Sequence, residues 1–486
     1  MDAMKLDKDL IDNLKEYLHK LEEKINKLSR IAEELRQPLK AAEGVEEEYL
    51  SNPLHSFPLI RHMYQDWKNL EEFMQRPVGE EQIHFLQEKL PELPLKSDRD
   101  EATEAMYRMA RTYNATPLEM THGLIDGIQY RNTLTALDCF ELGKLYFKWD
   151  FPEEAAQWFN ITLNFDLEAR KDVEVMGLHQ KDLVLLLTRS LTEMGEDDKA
   201  LNVLEKQPDL AENHTSLLKF YKANLNDPTD DLPYLSESYS KLCQSSHVPS
   251  PSRLHCRYNS TTSPFLILAP LKMEEISLDP YIVVYHDILS VKQTVKIIRF
   301  GEPKMEPTYI FTPKLGAIKH KGRTAVGSWL YSEDFDLPDS PFHNLFDVIR
   351  DITGLNIDDS IEIQLLKYGF GAHYGPHPDF FNGSAPDISS EGDRIATVLF
   401  YLNDAPHGGA TAFTDINIKV PAERGKVLFW HNLKGETYDL DLHTIHSACP
   451  VYQGFKFVMT VWIREFNQMF IKPTYRKGNR KFFFDV

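Results

Sequence analysis

Apolar residues near the start of the chain recur in alternating steps of three and four: Ile11, Leu14, Leu18, Leu21, Ile25, Leu28, Ala32 and Leu35. A period of about 3.5 residues is the seam of a coiled coil, and Glu22, Glu23 and Lys24 lie off that seam. The pattern predicts association between chains through this segment. The other packing open to it is a long amphipathic helix lying within its own subunit. Helical sequence continues to about residue 130, broken near Pro53, Pro58 and Pro77. Residues 1–130 are therefore expected to form a helical, coiled-coil dimerisation region.

Residues 135–225 carry a second helical pattern. Leu142, Gly143 and Tyr146 fall on one helix, Asp150 and Pro152 make a turn and a helix start, and Ala155, Ala156 and Phe159 follow on the next. A second pair runs LVLLLTRSLTEMG then DKALNVLEK, with Gly195 and Ala200 at matching places. Small residues where helices cross resemble the tetratricopeptide pattern, which offers a groove to an extended peptide. A helical spacer is the plainer alternative. Residues 226–264, rich in Pro, Ser, Asn and Asp, read as a linker. From residue 265 to 486 the periodicity changes. Short β-branched and aromatic runs such as SIEIQLLKYG, RIATVLFYLN, GKVLFW and FKFVMTVWI suit strands of a sandwich or barrel.

Composition narrows the picture. The 486 residues are 42% hydrophobic and 26% charged, ordinary globular values that exclude long disorder. Lys plus Arg number 54 against 74 Asp plus Glu, a formal charge of −20. Such an acidic chain is a poor general binder of nucleic acid or anionic membrane. No apolar run reaches the ~20 residues of a membrane span, and no signal peptide is visible near Met1. Cys139, Cys243, Cys256 and Cys449 are too few for a disulfide scaffold and lack metal-site spacing. Cys243 and Cys256 bracket a Ser/Pro-rich loop. They could pair in an oxidising compartment or stay free. Sequons at Asn114, Asn160, Asn213, Asn259 and Asn382 are compatible with secretion.

The candidate chemistry lies in the C-terminal part. His377-Pro378-Asp379 places an imidazole and a carboxylate on one side of a strand or its exit, because strand periodicity is two. Two histidines and a carboxylate on one face bind iron(II) in non-haem oxygenases and leave positions open. By itself the tripeptide is weak, since roughly one His-x-Asp is expected by chance in a chain this rich in histidine. His446 and His443 are the candidate third ligands. Three positions apart on a strand, they would face opposite sides.

The runs LLKYGFGAHYGPHPDF, DRIATVLFYLNDAPHGGATAFTD, GKVLFWHNL and HSACPVYQGFKFVMTVWIRE follow one another in that order. In order and spacing they resemble the catalytic domain of prolyl 4-hydroxylases, specifically the α subunit of the collagen-type enzyme, over roughly residues 275–470. The resemblance extends more weakly to NPLHSFPLIRHMYQDW and LDCFELGKLYF in the N-terminal half. It implies a multidomain chain, all-α in its N-terminal half, with a double-stranded β-helix (jelly-roll) dioxygenase domain over 265–486. It implies 4-hydroxylation of peptidyl proline, with iron(II), 2-oxoglutarate, O2 and L-ascorbate as cofactors. His377, Asp379 and His446 would hold the iron, and Lys456 would anchor the far carboxylate of 2-oxoglutarate, with Tyr368 and Thr411 in the same pocket. Tyr374, Arg394 and Trp462 would lie along the bound peptide. The implied partners are a proline-containing or collagen-like substrate, protein disulfide isomerase and a second copy of the chain, in the lumen of the endoplasmic reticulum.

The resemblance also implies a Cys243–Cys256 bridge and leaves Cys449 unpaired, because the expected partner position falls around Thr474. Two places depart from the pattern. Arg464 stands where the family usually has histidine. Leu186, Arg189 and Thr192 stand where the family carries groove tyrosines, which points to a narrower or non-collagen substrate. The alternative function is a catalytically weak subunit serving assembly or peptide binding.

Overall fold

The computed structural model describes residues 2–165, 174–206, 235–244, 253–312, 316–335, 337, 340–342, 344–357, 363–381, 392–434 and 440–468. The chain divides into two compact units, Met1–Arg99 and Asp100–Val486. No described helix is long and apolar enough to cross a membrane.

The first unit is helical. Its α1 runs unbroken over Asp2–Ala42, about 60 Å at 1.5 Å per residue. Further helices are α2 (Pro53–Arg61), α3 (Trp67–Gln75) and α4 (Glu80–Lys89). One side of α1 packs within the unit. The Tyr17 ring fills the space beside Gly79, where an added Cβ would lie 2.2 Å from Cδ2. Asn13 Nδ2 donates to the Gln82 carbonyl at 2.9 Å, and Lys20 pairs with Glu81 at 2.9 Å. Much of the predicted seam faces away from these contacts: Ile11, Leu14, Leu18 and Ile25 are 46–59% exposed. The chain thus uses α1 as an amphipathic helix within the unit and leaves part of the 3.5-residue stripe uncovered.

The second unit begins within α5 (Lys96–Tyr113), followed by α6 (Ala136–Lys148), α7 (Pro152–Leu163), α8 (Gln180–Glu193) and α9 (Asp197–Glu205). Thr135 caps α6 in a reciprocal capping box with Asp138. Gly143 lets α6 and α7 approach, since a Cβ there would meet the Phe159 ring at 2.5 Å. Two of the positions that stand in place of groove tyrosines make contacts within this layer. Arg189 lies over Phe147 at 4.9 Å and bonds Glu193, and the Thr192 hydroxyl returns to the Thr188 carbonyl. A last helix of this layer, α10 (Glu237–Gln244), lies against the sheet region.

The sheet region carries β1 (Cys256–Asn259), β2 (Leu271–Leu278), β3 (Tyr281–Tyr285), β4 (Glu306–Pro307), β5 (Val326–Leu330), β6 (Ile363–Tyr368), β7 (Tyr374–His377) and β8 (Arg394–Tyr401). It continues with β9 (Thr411–Phe413), β10 (Ile418–Val420), β11 (Val427–His431), β12 (His446–Ala448) and β13 (Lys456–Arg464). A large antiparallel sheet has the order β1-β2-β3-β11-β8-β13-β6-β5-β4, and a small one the order β7-β12-β9-β10. Alternation along the large sheet's strands assigns its two faces. Val398, Phe400, Met459 and Val461 pack against Ile297 of α11 (Val291–Gly301) and Ile349 of α12 (Leu345–Thr353). The opposite face, including Leu399, Tyr401, Leu428, Trp430 and Val458, packs against Phe413, Val420 and Ala448 of the small sheet.

One expectation fails outright. The disulfide joins Cys243 to Cys449, with Cα atoms 5.7 Å apart, and Cys256 is free and exposed. Cys243 sits on the inward side of α10 with Tyr239 and Leu242, beside Cys449, which directly follows β12 of the small sheet. Cys256 lies on the outermost strand of the large sheet, facing solvent. Cys449, expected to be unpaired, is therefore bridged. The 206-residue separation makes this a long closure, worth about 5 kcal/mol in a chain-entropy account.

Candidate active site

Strands β7 and β12 pair antiparallel, with His377 directly opposite His446. Asp379 follows two residues after His377. The ligand atoms of His377, Asp379 and His446 all lie within 4.8 Å of one another, the single such cluster among the described residues. His377 Nε2 is 3.9 Å from Asp379 Oδ1, and His446 Nε2 is 3.6 Å from Asp379 Oδ2. Backbone carbonyls orient both rings. His377 Nδ1 lies 2.8 Å from the Gly375 carbonyl and His446 Nδ1 3.1 Å from that of Thr444. An Nδ1–H donated there leaves each Nε2 lone pair facing the shared centre. His443 is not part of the cluster. It is exposed at its 3₁₀ turn and turns Nδ1 to Asp441.

Burial, then the neighbouring His446 imidazole, pushes the His377 ring down to about 3, so it is neutral at physiological pH. Burial alone would raise the Asp379 carboxyl. The imidazoles of His446 and His377, the Arg394 guanidinium and a bond from Thr397 outweigh it and hold the carboxyl low. Thr397 Oγ1 donates to Asp379 Oδ2 at 2.7 Å and accepts from Asn432 Nδ2 at 3.2 Å. Two imidazoles turned by Nε2 toward a shared centre and one ionised, oriented carboxylate are the donor set that suits a divalent iron.

The cluster opens into a cavity of about 770 Å³. Lys456, 1% exposed, lines it from β13, opposite Tyr368 in the β13–β6 register. Its ammonium lies 3.4 Å from Thr411 Oγ1 and 5.2 Å from the Tyr368 ring centre, and Tyr401 Oη donates to Thr411 at 2.8 Å. Lys456 has no ion pair among the described residues, and burial pushes its ammonium down to about 7. A buried ammonium without a counter-charge is costly, and the cavity beside it has room for an anion. These residues therefore fit a dicarboxylate bound between Lys456 and the metal cluster.

The mouth is aromatic and cationic. Tyr374 stacks on His377 with ring centres 3.5 Å apart, and the Arg323 guanidinium sits 4.6 Å from the Tyr374 ring. Arg394 lies 3.8 Å from the Trp462 ring and 4.3 Å from that of Phe381. Arg464 pairs with Arg394 across β8 and β13, donates to the Gly392 carbonyl and lines the same cavity. All nine predicted site positions thus border one cavity. Sequence reasoning passed over Thr397, Tyr401 and Arg323. The signal for Thr397 was a lone hydroxyl within the apolar run RIATVLFY.

Comparison with known proteins gives matches over both halves of the chain. Residues 1–127 match the family model described as prolyl 4-hydroxylase alpha-subunit, N-terminal region, and residues 363–464 match the 2OG-Fe(II) oxygenase superfamily. The chain is 29% identical to prolyl 4-hydroxylase subunit alpha-1 of Mus musculus, covering 97% of this chain and 93% of that one. It is 28% identical to prolyl 4-hydroxylase subunit alpha-2 of Caenorhabditis elegans, covering 96% and 90%. Among solved structures it is similar to a viral collagen prolyl hydroxylase of Paramecium Bursaria Chlorella virus-1. That match has 22% identity over 38% of this chain and 96% of the other, with a TM-score of 0.29.

Proposed function

Because the chain belongs to the prolyl 4-hydroxylase alpha-subunit family, we propose that it is a procollagen-proline 4-dioxygenase of the 2-oxoglutarate- and iron(II)-dependent type. It converts peptidyl proline to 4-hydroxyproline with release of succinate and CO2. The observation that carries this reading is the convergence of His377, Asp379 and His446 beside the buried Lys456. We read the two packed sheets as the jelly-roll of this superfamily.

In this reading His377, Asp379 and His446 hold the iron. Iron(II) with 2-oxoglutarate supplies, when bound, the oxidising power to hydroxylate an unactivated C–H bond with O2. Lys456 neutralises the far carboxylate of 2-oxoglutarate, and Thr411 and Tyr368 border that end. Val458 and Thr460, buried side chains on the pocket face of β13, exclude water from the pocket floor. At the mouth, Tyr374, Trp462 and Arg394 present flat faces and a cation to an extended proline-containing peptide. Arg464, which cannot lose its proton, adds a fixed positive charge there. Residues 135–225 would present the peptide to this mouth. Ascorbate serves to restore iron oxidised in unproductive turnovers.

Residence in the endoplasmic reticulum lumen accords with the Cys243–Cys449 bridge, because disulfides persist in oxidising compartments. Protein disulfide isomerase would be the partner subunit there, and the exposed sequons Asn114 and Asn160 would be glycosylated, whereas the Asn259 amide is buried against Tyr285. The exposed α1 stripe would mediate self-association. The test of the activity is succinate release from 2-oxoglutarate with iron(II) and a panel of proline peptides, including X-Pro-Gly repeats. Peptide-dependent succinate that vanishes in His377→Ala supports the reading. Turnover that is absent, or unchanged by that substitution, overturns it.

A further inference from the structure

The strand that carries His446 is three residues long, and its last residue and the two that follow are fastened from outside its sheet. Tyr239 of α10 donates its hydroxyl to the Ala448 carbonyl at 3.0 Å. Cys449 is bonded to Cys243 of the same helix. Tyr113, at the end of α5, donates to the Pro450 carbonyl at 2.6 Å. Both tyrosines are buried, and burial raises their phenols, so both remain O–H donors at working pH. The approach to His377 is gripped from the same helical layer. Arg108, fully buried, donates Nε to the Gly371 carbonyl at 3.1 Å. Gly371, at φ +62°, packs so close to Ala105 that a Cβ would lie 2.4 Å from it. Gly371 N–H in turn donates to the Val451 carbonyl at 2.7 Å.

We propose that this clamp of Tyr113, Tyr239 and the Cys243–Cys449 bridge is a positioning device for the metal site, setting where His446 stands relative to His377 and Asp379. The proposal rests on the reading that those three residues hold a divalent metal. Its logic is geometric. Ligands must be held to within about 0.5 Å of their working positions, and groups behind the ligands typically govern affinity by 10–100-fold. Between β7 and β9 the short β12 has few ladder bonds of its own. Removing the Tyr239 hydroxyl leaves the buried Ala448 carbonyl short of a donor and frees the backbone two residues from the ligand. Tyr113, Tyr239 and the bridge are therefore positioning residues. They touch neither metal nor substrate.

The experiment titrates the full-length apo chain with Co(II) or Mn(II) as the probe metal. The variants are Tyr239→Phe, Cys449→Ser and, as a control, Cys256→Ser. The expected result is about tenfold weaker metal binding in Tyr239→Phe, at least as large a loss in Cys449→Ser, and wild-type affinity in Cys256→Ser. Hydrogen exchange should quicken over 446–451 while the amides of β8 and β13 stay protected. The clamp is overturned if Tyr239→Phe, folded by circular dichroism, lowers the unfolding midpoint yet binds metal as the wild type does. Should Cys449→Ser not fold, Tyr239→Phe still decides the matter. If wild-type metal binding survives His377→Ala, the metal reading itself is what fails.

Discussion

The two sheets of the second unit stand on different physical footings. The large sheet is self-supporting. Its central strands run five to nine residues, pair along their whole length, and bury apolar side chains on both faces. The small sheet, with strands of three or four residues, carries the two candidate histidine ligands, with Asp379 just past β7, and borrows its rigidity. It rests on the large sheet on one side and is tied to helices by a disulfide, two phenols and a guanidinium on the other. The lesson is a division of labour. Stability resides where no polar chemistry is required, and the polar centre is placed on backbone held by long-range ties.

Substitutions can break or sharpen this contrast. The largest effect is expected from His377→Ala, which should cut peptide-dependent succinate release at least about a thousandfold, with little change in the unfolding midpoint. Phe400→Ala tests the other footing. The ring is fully buried between β8 and the helices, and its loss should cost about 3–5 kcal/mol by denaturant unfolding. Site and sheet should be lost together. Thr397→Val bridges the two, because its hydroxyl reaches from the large sheet to Asp379. It should weaken metal binding about 10–100-fold, measured by calorimetry, and leave the fold intact.

The smallest effect concerns Lys456. Burial holds its folded ammonium at about 7 against 10.5 in a free chain. Between those values the unfolded chain binds more protons, so the apo protein gains stability as pH rises through that window. Below pH 7 the lysine is charged in both states and the burial penalty is fully present. Lys456→Met should therefore raise the apo protein's midpoint most near pH 6, with the advantage shrinking toward pH 10. The same variant should bind 2-oxoglutarate more weakly. A pH-independent midpoint difference would contradict the assignment of a buried, uncompensated lysine.

What could be read from the chain follows the same division. His377, Asp379, His446 and Lys456 were legible because strand periodicity and local wording place them, and all four border the cavity. The helical N-terminal half and the sheet-rich C-terminal half were legible from the change of period. The α1 stripe was legible as a pattern, although part of the helix packs within its own unit. Tyr113, Tyr239 and Arg108 were not legible, because their partners are backbone carbonyls 209 to 337 positions away, which leave no side-chain trace in sequence. The disulfide was misread for a related reason. Proximity along the chain favours Cys243 with Cys256, but α10 turns Cys243 toward the small sheet.

The Cys243–Cys449 bond has a topological consequence. It closes the polypeptide between those positions into a covalent ring, and His377, Asp379 and His446 all belong to that ring. A protease that nicks any peptide bond inside it opens the circle without releasing a fragment. Such a nicked molecule would migrate as one band in a denaturing gel, and would separate into two only after a thiol reductant is added.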